Sequence, residues 1–142
     1  MKMKTYLLAL TAVIAATAAL HAQDLHAQEM APVAHNGSQA VWSKDTKGRV
    51  EIRYSMPRAG LPVKDGDLLF EGNVDTGGTY TGTAYLFKAG CAPAPYAVQG
   101  KDVGGDIVLV GQAPLRKSGG CELVGSSAGG RNSRLVFSFE PA

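Results

Sequence analysis

The sequence predicts an all-β protein, a small antiparallel β-sandwich or barrel of about seven to nine short strands held by one disulfide. Three observations lead there. Apolar residues recur at every second position in several short windows, the period of a strand with one buried face. Eighteen glycines and seven prolines among 142 residues punctuate the chain in a way that suits turns and penalises helices. Outside the N-terminal apolar run, no window carries an apolar period of 3.6.

The strands follow in order. "QAVWS" (39–43) is the first, joined through the polar turn "KDTKG" to "RVEIRYSM" (49–56). In that second strand Val50, Ile52, Tyr54 and Met56 face one way and Arg49, Glu51, Arg53 and Ser55 the other, the pattern of a sheet with one wet face. Pro57 ends it because it has no N–H to give a ladder. "GLPVKDGD" reads as a turn-rich loop, "DLLFEGNV" (67–74) as a half-buried strand and "VDTGGT" as a hairpin connection. "TYTGTAYLFK" (79–88) is a longer β run rich in Thr and aromatics, and "PYAVQG", "DIVLVGQA", "CELVG" and "SRLVFSFE" complete the series. Gly72 and Gly82 lie inside or beside strands, where they mark either bulges that bend the sheet or ordinary strand ends.

The N-terminus predicts export. Lys2 and Lys4 precede an uncharged apolar run from Tyr6 to Leu20, and small residues lead to a cleavage point after Ala22, the layout of a secretory signal peptide. The repeated pentad in "LHAQDLHAQE" makes Ala27 an alternative cleavage site. The run is too short and too rich in Ala and Thr for a bilayer span of about 20 residues. The expected organisation is a signal peptide over 1–22, a flexible leader over 23–38 and a single β domain over 39–142. The location is periplasmic or secreted, with no membrane span after cleavage. Removing 1–22 takes two lysines from fourteen basic residues against twelve acidic ones, so the mature charge is near zero. That excludes the basic surplus of a nucleic-acid-binding protein.

Chemistry-bearing motifs are sparse. No His follows His35, so Ser-His-Asp and Cys-His arrangements lack their base in the expected domain. Two Cys cannot make a zinc site of the usual kind, no metal site is expected, and no phosphate-cradling loop or other cofactor motif is present. "VDTGG" at Val74–Gly78 matches the way aspartic proteases present a carboxylate, but such sites need two copies, and Asp with two Gly is ordinary hairpin chemistry. Asp65, Asp67, Glu71 and Asp75 are the acids available for a paired-carboxylate hydrolase; Asp67 and Glu71 share a strand face at even spacing. No catalytic residue is assigned.

Cys91 and Cys121 are the only thiols. In an oxidising compartment two thiols commonly pair, and closing so long a loop contributes roughly 3.5–4 kcal/mol on the chain-entropy account. No electropositive neighbour or CxxC partner marks Cys91 as reactive. The pair is expected to be a structural disulfide.

The order "LLFEG", "YTGTAYLF", "C…PYAVQG", "IVLVGQAP", a second Cys and "LVFSF" resembles a small β domain found repeatedly in exported bacterial proteins, over most of the mature chain. The resemblance implies the fold and the disulfide. It implies no activity and transfers no catalytic residue.

The function expected is that of a non-enzymatic binding or accessory module of the cell envelope, whose partner is an envelope protein or glycan. Its sharper form is an inhibitor of a wall-degrading hydrolase, and its alternative a small carboxylate-dependent hydrolase. Tyr96, Arg116 and Lys117 are the candidate binding residues, with Tyr80 and Tyr85 behind them, since aromatics and Arg are favoured at interface centres. The bland reading of the same residues is core for the tyrosines and a solvated turn for Arg116-Lys117. An outer-membrane barrel is disfavoured by strands shorter than about 9–11 residues and by an end at Pro141-Ala142 rather than an aromatic.

Overall fold

The computed structural model describes residues 28–140. The expected signal peptide and both cleavage points lie outside them. Ten strands form, in chain order β1 (Glu29–His35), β2 (Ser38–Lys44), β3 (Arg49–Met56), β4 (Leu68–Val74), β5 (Thr79–Leu86), β6 (Ala94–Val103), β7 (Asp106–Gly111), β8 (Ala113–Arg116), β9 (Leu123–Ser127) and β10 (Arg134–Phe139). Eight close into an antiparallel barrel in the order β1-β10-β7-β6-β5-β4-β3-β2, while β8 and β9 pair separately as a two-stranded sheet. The fold is therefore a barrel rather than a sandwich, and "CELVG" supplies a strand outside it.

Alternation builds the interior. Val50, Ile52 and Tyr54 of β3, Ala94, Tyr96 and Val98 of β6, and Leu135 and Phe137 of β10 point inward and are buried. Met56 has the parity of the inward face of β3 but is 62% exposed, because the bulge opposite Gln39/Ala40 reverses the alternation and pairs it with the exposed Gln39. The outward face of β3 is polar: Glu51 pairs with Arg49 at 3.5 Å and with Arg53 at 3.0 Å, unlike the apolar band of a lipid-facing barrel. Among the described residues no helix is long and apolar enough to cross a membrane.

The expected flexible leader is wrong from Glu29 onward, where the chain forms β1. The reason is the turn that follows. Asn36 and Gly37 both have positive φ, at 48° and 78°, as the type I′ hairpin requires. His35 pairs with Ser38, and the register continues to Glu29↔Lys44. Pro32 is tolerated because its missing N–H faces the other neighbour, β10, where only Val33↔Phe139 and Ala34↔Ser138 are in register. On that side its carbonyl accepts the Glu140 N–H at 3.5 Å.

Gly72 and Gly82 are neither bulges nor strand ends. They face each other in register, and a Cβ on either would lie 2.2 Å from a carbonyl oxygen of the adjacent strand. The strands approach too closely there for any side chain, as a small, tightly curved barrel wall requires. The bulges fall instead at Gln39/Ala40, Ile52/Arg53 and Leu115/Arg116.

The connections divide sharply between the two ends. One end carries only the turns 45–48, 75–78 and 104–105 between strands. The other carries the β1–β2 turn together with the longer loops 57–67 and 87–93 and the excursion 112–133, which contains β8 and β9.

Candidate functional site

The short-turn end is built from one repeated device. Asp45-Thr46-Lys47-Gly48 and Asp75-Thr76-Gly77-Gly78 share the pattern Asp-Thr-x-Gly. The Asp45 carboxylate accepts the N–H groups of Lys47 at 2.8 Å and Arg49 at 3.0 Å. That of Asp75 accepts those of Gly77 and Thr79, both at 2.9 Å. The Arg49 N–H holds the exposed Asp45 carboxyl below its usual range. In each turn the Gly N–H also bonds the Asp carbonyl, at 3.1 and 3.0 Å. "VDTGG" is thus a turn whose carboxylate is engaged by backbone, and its double in the preceding hairpin shows the same job done twice.

The other acids are engaged separately. Asp67 accepts the Lys64 N–H at 2.9 Å. Glu71 accepts the Tyr85 hydroxyl at 2.8 Å, and this bond to an acceptor, first among the causes, raises the pKa of Tyr85. Asp67 and Glu71 line different depressions on the surface. Among the described residues no cluster of three His, Cys, Asp or Glu could hold a metal ion.

The long-loop end is fastened by a second set of contacts. Cys91 and Cys121 form the expected disulfide, with Cα atoms 5.4 Å apart, within the ordinary span. It ties loop 87–93 to the β8–β9 turn. Arg116 reinforces the same junction by donating to the carbonyls of Cys121 at 2.9 Å, Ala92 at 2.8 Å and Leu86 at 3.4 Å. Lys88 donates to the Gly120 carbonyl at 2.7 Å. Arg116, a candidate binding residue by sequence, is therefore committed to internal carbonyls as a clamp. Lys117 is exposed on the β8–β9 turn, where its backbone pairs with Glu122 at 2.8 Å. Neither residue lines the cavity described below.

Within this ring of loops the barrel opens into a cavity of about 240 Å³. Its polar lining includes His35, Tyr54, Arg58, Tyr85, Tyr96 and Arg131 together with Asn36 and Asn132, and its apolar lining includes Leu61, Val63, Leu69, Phe87 and Leu135. Tyr96, the third candidate binding residue, forms part of the wall. It is buried, donates to the Asn132 carbonyl at 2.7 Å, and burial pushes its pKa up to about 12, so it stays a neutral hydroxyl. Of the two reserve tyrosines, Tyr80 is buried in the core, and Tyr85 reaches the cavity rim.

His35 is the residue that sequence reasoning misplaced. It is buried at the end of β1, stacked on Phe137 with centroids 4.6 Å apart. Its Nδ1 lies 2.8 Å from the Val136 carbonyl and must donate to it, which leaves Nε2 to accept from the Asn36 amide at 3.3 Å. Burial, with a smaller push from Arg58, lowers its pKa from 6.5 against the opposing pull of the Val136 bond. The neutral tautomer is thereby fixed. The missed signal was Asn36-Gly37, which makes the preceding residues a strand and carries His35 inward with Val33.

Arg58 is held in place by its backbone, whose N–H donates to the buried Ser38 hydroxyl at 2.9 Å. Arg131 stands in a 3-10 turn (Arg131–Ser133) just before β10. Both arginines are exposed. Among the described residues neither belongs to an ion pair, and no Asp or Glu lines the cavity they flank. The arrangement can bind a group that brings negative charge to the rim.

No family model, curated protein or solved structure matches this chain. The resemblance to a small exported β domain therefore rests on its residues alone.

Proposed function

We propose that this chain is an exported, non-enzymatic binding domain of the cell envelope that engages its partner through the long-loop end of the barrel. The observation that carries this reading is the open cavity with two unpaired arginines on its rim, set among loops fastened by a disulfide and an arginine clamp. Binding residues concentrate on loops held by a rigid scaffold, and the mouth of a barrel is a favoured place for a ligand. Export is supported by the layout of the first 22 residues and is compatible with the disulfide. Inhibition of a wall-degrading hydrolase is the sharper form of the reading. Catalysis by paired carboxylates is poorly supported, because Asp67, Glu71 and Asp75 line three different depressions and each accepts a hydrogen bond within the protein.

Co-sedimentation with purified envelope fragments tests the reading. The double variant Arg58→Glu/Arg131→Glu should lose association, while Lys47→Glu/Lys101→Glu, remote from the cavity lining, should keep it. Equal retention by both, or no association of the wild type, would remove the proposal. A lysozyme lysis assay tests the sharper form, which fails if lysis is unslowed across a wide range of added protein.

A further inference from the structure

The cavity at the long-loop end has a chemistry that narrows what can occupy it. Part of its lining is apolar, formed by Leu61, Val63, Leu69, Phe87 and Leu135, with Phe87 set edge-on to Tyr54 at 6.1 Å between centroids, beside the buried polar side chains of His35, Tyr54 and Tyr96. Its charged lining residues, Arg58 and Arg131, are both exposed. The cavity of about 240 Å³ corresponds to roughly eight water volumes, room for a single ring or a short chain and little more. His35 adds no charge while neutral, and its Nε2 is occupied by Asn36.

We propose that this cavity binds a small amphiphilic carboxylate, its apolar body seated among Leu61, Val63, Leu69 and Phe87 and its carboxylate held at the rim by Arg58 and Arg131. The proposal rests on the reading of the long-loop end as the binding end. Guanidinium groups match a planar carboxylate with paired donors. A neutral ligand would leave both arginines without a counter-charge, and a fully polar anion would leave the apolar side chains of the lining against water. Tyr54, buried beside Phe87 with its hydroxyl in no hydrogen bond among the described residues, adds a donor to the lining. One molecule that satisfies both halves has an aromatic or short aliphatic body and a single anionic head.

Isothermal titration of the purified domain with phenylacetate tests this, beside phenylacetamide as the neutral isostere and inorganic phosphate as the anion without a body. Phenylacetate should bind, with the amide and phosphate each weaker by about tenfold or more. Arg58→Gln and Arg131→Gln should each weaken phenylacetate by about fivefold with an unchanged melting temperature, and Val63→Ser should weaken it without altering the response to salt. Equal binding of the amide would overturn the role of the arginines, equal binding of phosphate would overturn the role of the apolar lining, and no binding of phenylacetate up to its solubility limit would overturn the ligand class. In that last case, continued loss of envelope association by Arg58→Glu/Arg131→Glu would leave the broader reading of the binding end standing.

Discussion

At one end of the barrel, three turns of two to four residues join adjacent strands, and two of them use the same Asp-Thr-x-Gly chemistry with the carboxylate spent on backbone N–H groups. At the other end, loops 57–67, 87–93 and 112–133 rise above the rim. They carry six basic residues (Arg58, Lys64, Lys88, Arg116, Lys117, Arg131) against Asp65, Asp67 and Glu122. Turns that serve only closure can be minimal and locally self-sufficient. The long loops need fastening from outside their own backbone, and they receive it from Cys91–Cys121, Arg116 and Lys88. The barrel strands balance, with five basic against five acidic residues, and the opposite turns carry Lys47 against Asp45 and Asp75, so the basic surplus is confined to the long loops. The contrast teaches where to look for binding, since the fastened end sets an open cavity beside two arginines that belong to no ion pair among the described residues.

The comparison can be broken most forcefully at the staple. Cys91→Ser/Cys121→Ser should cost up to roughly 3.5 kcal/mol in urea unfolding, and amide exchange should quicken in 87–93 and 112–127 while the turns 45–48 and 75–78 stay protected. Uniform quickening across the molecule would mean that the two ends are not separately held.

Next in size is the barrel wall. Gly100→Ala places a Cβ 1.7 Å from the Val108 carbonyl oxygen and should cost about 3 kcal/mol, with loss of protection at both ends together. A small or loop-confined effect would show that the wall is not the shared frame.

A smaller effect comes from His35. Its pKa is lowered by burial from 6.5, so below about pH 6.5 the unfolded chain binds the proton that the folded chain refuses. Stability should therefore be full above that pH and fall as pH drops through the lowered folded value. His35→Gln should flatten this slope in urea midpoints measured between pH 7.5 and 5.5. An unchanged slope would assign the effect elsewhere.

The smallest effects belong to the turn carboxylates. Asp45→Ala and Asp75→Ala should each lower Tm by a few degrees at most, of the order of one lost exposed hydrogen bond. The Asp45 contribution exists above the usual carboxyl pKa of 3.8 and is lost as pH falls through the lowered folded value. The Asp45→Ala and wild-type curves should therefore converge once the pH is below that lowered value; a gap that persists in acid would show that the carboxylate charge is not what the turn uses.

The barrel strands were legible wherever alternation ran unbroken by a bulge, as in residues 49–54 and 94–98, because period two leaves no choice of face. Closure was not legible, since alternation is the same in a sandwich and a barrel. Only the pairing of β1 with β10 decides it, and that is a long-range contact between the chain's two extremes. β1 itself was hidden by Pro32, which reads as a breaker until its orientation toward a short seam is known. The disulfide followed from two Cys and an inferred compartment. The cavity did not follow from sequence, because Arg58, Arg131 and His35 are far apart along the chain and are brought together only when the barrel closes. Arg116 was singled out for its type, yet three backbone carbonyls that no pattern could reveal make it a clamp.

Amide chemical-shift mapping of the isotope-labelled domain, titrated in turn with soluble wall-glycan fragments and with phenylacetate, tests the central claim most directly. The division between the ends predicts shifts confined to 57–67, 87–93 and 131–135, with Arg58 and Arg131 among them and the turns 45–48, 75–78 and 104–105 silent. Shifts centred on those short turns, or spread evenly over the barrel wall, would contradict it.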